Sequence, residues 1–245
     1  MAITVWSVTF LAFLTAVATG VGALPFLFVR NISPRRLGTA NALAAGLMVS
    51  ASLMLVIEGA AHGVAATLAG VLSGALFVWL SGVWLSGYDD LDIGALRGAN
   101  ARKALLIMGV MTVHSFAEGV GVGVSYGGGE SLGLFITAAI ALHNVPEGLA
   151  IALVLVPRGV GVWAAAGWAV VSSLPQPLLA PPAYVAVDKF EPILAPGLGF
   201  AAGAMVMMAA SELIPEALET ASLRRVAAVG IAAIAGGFVL QYLLT

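Results

Sequence analysis

The chain has no cysteine, only three histidines, and little charge: Asp, Glu, Lys and Arg together make up 9% of its 245 residues. Each shortage excludes something. Without cysteine there are no disulfides and no thiolate ligands, so a metal would have to be held by nitrogen and oxygen. Soluble domains carry about 25% charged residues, and this chain falls far short of that. The basic residues are scattered and the net charge is −2, which gives a nucleic-acid partner no footing. The N-terminus, MAITVWSVTF, lacks the positive n-region and short separate apolar core of a cleaved signal, and reads as a retained first helix.

What the chain does have is apolar residues, 61% of the total, arranged in long blocks. A transmembrane helix needs about 20 such residues. An outer-membrane barrel would show alternating segments of about ten. The blocks therefore predict an all-α, multi-pass integral membrane protein. Cutting at Gly, Pro and charge gives eight spans, 4–29, 37–58, 64–86, 104–125, 131–156, 161–187, 194–215 and 225–244. With the first loop cytoplasmic, the inner side holds Arg30, Arg35, Arg36, Arg97, Arg102, Lys103, Arg158, Arg224 and Arg225, and the outer side holds Lys189. That asymmetry obeys the positive-inside rule and sends both termini outward.

Residues 43–60, LAAGLMVSASLMLVIEGA, align without gaps to 200–217, FAAGAMVMMAASELIPEA. The identities are Ala44, Ala45, Gly46, Met48, Val49, Ile57 and Ala60 with their partners. These spans run in opposite directions, and inverted repeats characterise transporters. Chance likeness between Ala- and Gly-rich helices is the alternative.

Two further segments concentrate the polar residues. HSFAEG begins at His114 and HNVPEG at His143, each with Glu four residues after His. On a helix that spacing puts both side chains on one face. His114 lies about 16 Å and Glu118 about 22 Å along the helix from Lys103, and Glu147 and His143 lie at matching heights above Arg158. Both pairs therefore fall near the middle of a hydrocarbon core of about 30 Å. An ionised group there costs at least about 2.5–3.5 kcal/mol. A divalent cation offsets that cost, since imidazole nitrogen and carboxylate oxygen suit zinc, iron(II) and manganese. A proton-sharing cluster that only joins helices is the rival, although two copies of the motif exceed what joining requires.

The surrounding residues fit a cavity. Gly119 and Gly123 allow a close helix approach. Pro146 frees the carbonyl of Leu142. SSLPQPLLAPP, with prolines at 175, 177, 181 and 182, breaks span 6 near the midplane, where broken helices line cavities. A merely kinked helix is the plainer reading.

HSFAEG followed by HNVPEG on consecutive helices resembles spans 4 and 5 of the ZIP (Zrt/Irt-like) family of divalent metal transporters. SSLPQPL and FAAGAMVMMAASELIPEA are similar to the family's spans 6 and 7. The resemblance runs from about Gly38 to Glu216. It implies a 3+2+3 arrangement in one transmembrane domain over 1–245: helices 1–3 in 1–86, a cytoplasmic loop 87–103, metal-site helices in 104–156, and helices 6–8 in 161–245. It implies one metal on His114, Glu118, His143 and Glu147. A second metal would share the glutamates and use Ser115, Asn144 and Gln176. Ser115 stands where asparagine is often found and Gln176 where some members have glutamate, so the second position has weaker ligands. Ala117 replaces a proline common in the family. In place of a histidine-rich loop the chain has GYDDLDIGALRGANARK, whose Asp89, Asp90 and Asp92 read as a solvated acidic stretch or an inner mouth. Glu58 and His62 form another i,i+4 pair toward the outside, an entry site or plain surface charge. Glu212 matches an auxiliary metal position, and Met205, Met207 and Met208 read as packing, since all three cannot face one ion on a helix.

The implied function is transport of Zn²⁺, or Fe, Mn, Cd or Co, as substrate toward the cytoplasm by alternating access, with no catalytic cofactor and no enzymatic activity. Helices 1, 4, 5 and 6 would carry the site past a scaffold of 2, 3, 7 and 8. Partners are divalent ions and the bilayer, in the plasma (cell inner) membrane, and a homodimer is left open. A membrane-embedded metal enzyme is the rival, but neither the Glu-x-x-His pairs of di-iron bundles nor H-E-x-x-H occurs. A cation–proton antiporter using bare carboxylates would have no need of the histidines.

Overall fold

The computed structural model describes residues 3–29, 33–86 and 99–244. Within them the secondary structure is helical throughout: α1 (Val5–Val21), α2 (Pro34–Ser86), α3 (Ala99–Ser125), α4 (Glu130–Leu155), α5 (Val162–Ser172), α6 (Pro175–Lys189), α7 (Leu194–Met208), α8 (Ile214–Thr220) and α9 (Leu223–Leu244). The expected loop aspartates Asp89, Asp90 and Asp92, with Arg30 and Arg97, lie outside the described residues.

The helix ends follow from local chemistry. Thr4 and Ser7 form a reciprocal capping box at the start of α1, with Ser7 Oγ 2.8 Å from the Thr4 nitrogen. Gly129, at φ 117°, turns the chain between α3 and α4, where a residue with a Cβ would be strained. The predicted break in span 6 falls between α5 and α6: Ser173 leaves helical geometry, and Pro175 and Pro177 lack the N–H groups that would continue the ladder. Within span 7 the ladder widens to a π-type turn over Ala209–Leu213, between α7 and α8.

The expected spans 2 and 3 are merged as α2, interrupted at Gly63, whose backbone is non-helical. Along its first half Gly38 faces Ala217 and Thr220, and Gly59 faces Ala195 and Thr67. Along its second half Gly70 faces Pro196 and Gly74 faces Phe200 and Ala204. The first half thus runs against α7 and the second half alongside it, so α2 doubles back at Gly63 into a helical hairpin. At 1.5 Å per residue its 51-residue apolar stretch would otherwise extend about 77 Å.

Five described stretches are long and apolar enough to cross a membrane: Val5–Leu27, Pro34–Trp84, Glu130–Arg158, Glu191–Thr220 and Leu223–Leu243. The polarity is inverted relative to a soluble protein. Trp6, Phe10, Trp79, Trp84, Trp163 and Leu243 are exposed, while His114, Glu118, His143 and Gln176 are among the fully buried side chains. Broad apolar exposure of this kind needs an apolar surrounding. Phe135, Met48, Leu55, Ile136, Ile140, Leu198 and Met205 fill the main core, between the α2–α7 pair and α4.

Candidate metal centre

α3 and α4 are antiparallel neighbours, and α1 and the α5–α6 pair close around them. Small residues set the spacing. A methyl group on Gly119 would lie 2.8 Å from the Pro175 carbonyl, and one on Gly148 would overlap the Thr19 carbonyl. Each glycine follows a motif glutamate directly, so the backbone of a neighbouring helix passes close to each carboxylate.

The four motif side chains meet. One ligand atom each from His114, Glu118, His143 and Glu147 falls within 4.8 Å of the other three, and all four residues are buried. His114 Nε2 lies 3.2 Å from Glu118 Oε1 on its own helix and 2.8 Å from Glu147 Oε1 across the helix pair. His143 Nε2 contacts Glu118 Oε1 and stands 3.8 Å from Glu147 Oε1. Every cross-helix approach is shorter than the same-helix one.

Tautomers can be read from the outer nitrogens. His143 Nδ1 lies 3.1 Å from the Ala139 carbonyl, which can only accept, so Nδ1 donates to it and Nε2, in contact with Glu118 Oε1, is the atom that would offer a lone pair to a metal once deprotonated. Neither ring nitrogen of His114 makes a hydrogen bond of good geometry, although its Nε2 sits within ion-pair range of both carboxylates. A buried nitrogen without a hydrogen bond, two carboxylates and a second imidazole are together groups that could hold a divalent transition metal.

Gln176, at the N-terminus of α6, donates from Nε2 to Glu118 Oε2 at 2.6 Å. Its Oε1 accepts from Asn144 Nδ2 at 3.2 Å and from the Thr15 hydroxyl. Asn144 Nδ2 also donates to the Thr15 carbonyl at 2.8 Å, leaving Asn144 Oδ1 without a partner. Ser115 Oγ is 3.5 Å from Ser173 Oγ, which lies 2.8 Å from Thr19 Oγ1. All these side chains are buried. Thr15, Thr19 and Ser173 did not stand out in the sequence. For the threonines the signal was there in TAVAT, where the two at i,i+4 share a face of an otherwise apolar helix.

The remaining candidates are not among the four converging side chains. Glu58 and His62 pair at 3.2 Å, each about one-third exposed, near Gly128 at the end of α3. Glu212 sits half-buried in the π-type turn, and Asn41 on α2 donates to Glu216 one turn further on, at 3.0 Å. Met205 and Met208 are buried in the main core, and Met207 packs beside Val78, Ala117 and Ala204.

Comparison with known proteins points to one family. The profile of the ZIP Zinc transporter family matches residues 89–245. A protein of Arabidopsis thaliana carrying a provisional zinc-transporter name, At3g08650, is 46% identical over 223 residues, 90% of this chain but 36% of its own length. The zinc transporter GufA of Myxococcus xanthus is 33% identical over 226 residues, covering 83% of this chain and 85% of GufA. The zinc transporter ZIPB of Bordetella bronchiseptica is 32% identical over 214 residues, covering 81% and 69% respectively. The chain belongs to the ZIP zinc transporter family.

Proposed function

We propose that this protein moves a divalent transition-metal ion, Zn²⁺ first among them, across a membrane toward the cytoplasm. The observation that carries the reading is the convergence of His114, Glu118, His143 and Glu147 within 4.8 Å at a buried point between two antiparallel helices. Its chemistry favours an intermediate-soft dication over Ca²⁺ or Mg²⁺, which take all-oxygen shells. Iron, manganese, cadmium and cobalt are the competing substrates, and the ion is cargo and not a catalytic cofactor. Relatives bearing zinc-transporter names support zinc.

In this reading 1–245 is one multi-pass domain of eight spans, arranged 3+2+3, with both termini outside and the membrane that of the cell. The antiparallel halves of α2 support two spans there, and the broken α5–α6 pair supplies the sixth. The aligned repeat also has a contact counterpart. Gly46 lies against Gly230 and Ala233 of α9, while its partner Gly203 lies against Val71 in the second half of α2. Each aligned glycine thus admits the third helix of the opposite triplet.

Alternating access would carry α1, α3, α4, α5 and α6 past a scaffold of α2, α7, α8 and α9. Ser115, Asn144 and Gln176 are the neighbours of the primary ion, and a homodimer would leave this site whole within each copy. An ion leaving inward passes Glu212 and Glu216, carboxylates on the turn and helix that follow α7.

The test is uptake. Purified protein in sealed liposomes should accumulate external zinc above the level of empty liposomes, with iron, manganese, cadmium and cobalt as competitors. Tight binding with no movement across the bilayer would sink the transport reading and leave a binding or enzymatic one.

A further inference from the structure

From the arrangement of the buried amides we infer that Gln176, aimed by Asn144 and Thr15, is a positioning residue that holds Glu118 to one-oxygen ligation and limits the site to a single dication. The inference rests on the proposed metal site and goes beyond it.

The orientation of each amide is forced by the one before it. The Thr15 carbonyl accepts only, so the group of Asn144 that faces it at 2.8 Å must be the NH₂. The same NH₂ lies 3.2 Å from Gln176, whose facing atom must then be the oxygen. The Thr15 hydroxyl serves that same oxygen. Gln176 therefore turns its NH₂ toward Glu118 and donates to Oε2 at 2.6 Å. Reversing either amide would set two acceptors face to face in a site with no water-exposed atoms to relieve them.

Two consequences follow. Glu118 Oε1 faces the imidazoles while Oε2 is engaged, so the carboxylate offers a metal one oxygen and not two. The N–H of Gln176 also occupies the direction from which a second cation would approach Oε2. Charge balance points the same way. Two ionised glutamates and two neutral imidazoles match one dication, whereas a second would leave excess positive charge among Ser115, Asn144 and Gln176, all neutral and buried.

Zinc stoichiometry and affinity of the purified protein, with Co²⁺ as a spectroscopic probe, test this. The wild type should bind one Zn²⁺ per chain, and Gln176→Glu should bind two. Gln176→Leu should bind one, about 10–100-fold more weakly, the usual cost of losing an outer-shell partner. Its Co²⁺ complex should lose visible absorption as Glu118 turns bidentate and four-coordination is lost. Asn144→Leu, which mis-aims Gln176 without touching it, should shift affinity and spectrum in the same direction. Two Zn²⁺ on the wild type would overturn the inference and leave the metal site standing. Unchanged affinity and spectrum in Gln176→Leu would overturn the positioning role. No Zn²⁺ on the wild type would overturn the site itself, and this inference with it.

Discussion

His114 Nε2 lies closer to Glu147 on the neighbouring helix, at 2.8 Å, than to Glu118 one turn along its own, at 3.2 Å. The motif is local in sequence, but its partnerships are not. Each histidine reads the opposite helix, so the donor set exists only while α3 and α4 keep their register. The alternating access proposed above would carry α3 and α4 together, so the donor set would travel whole.

Removing one donor should abolish transport while leaving the fold. His143→Ala or Glu147→Ala should reduce zinc uptake in liposomes to the level of empty vesicles, while the detergent-extracted variant keeps its helical circular dichroism. Near-normal flux in either purified variant would refute the site.

Loading should compete with protons. The ligands must be deprotonated, so affinity falls as pH falls, by roughly tenfold per unit for each proton displaced. Zinc titrations between pH 5 and 7.5, in buffers of differing ionisation enthalpy, count the protons released. An affinity independent of pH over this interval would mean the ion does not meet these imidazoles.

Close packing should be unforgiving at Gly148. A methyl group there overlaps the Thr19 carbonyl, which belongs to backbone and cannot swing away. Gly148→Ala should cost about 1–3 kcal/mol, read as a lowered melting temperature in detergent. By contrast, Gly167 has open space around its missing Cβ, so Gly167→Ala should melt like the wild type.

Ser173 should matter more than its size suggests. Its hydroxyl joins Thr19 and Ser115 where nothing is exposed, so Ser173→Ala leaves a buried hydroxyl unpaired, at about 1–3 kcal/mol. Thermal unfolding of the single variant, and of Ser173→Ala with Thr19→Val, checks this: the pair should recover part of the loss.

The absence of cysteine makes the topology directly testable. Single cysteines at Lys189 and at Arg158 should react with an impermeant maleimide from opposite faces of the membrane, 189 from outside. Labelling of both from one face would overturn the eight-span arrangement.

Composition and the long apolar blocks determined that this chain is helical and lipid-facing, because lipid offers the backbone no hydrogen-bond partners and a helix satisfies its own. The two His–Glu spacings determined which four side chains could meet, since helical periodicity is local and needs no knowledge of neighbours. The prolines at 175 and 177 likewise announced the break between α5 and α6. Tertiary structure decided the rest. It alone placed Thr15 and Thr19 of the first helix and Ser173 beside residues more than a hundred positions away or on another element, and it alone turned Gln176 into a donor to Glu118. Amide direction and cross-helix pairing depend on interhelical distance and register, and those are set by where glycines let backbones approach, a property of packed pairs that no single helix encodes.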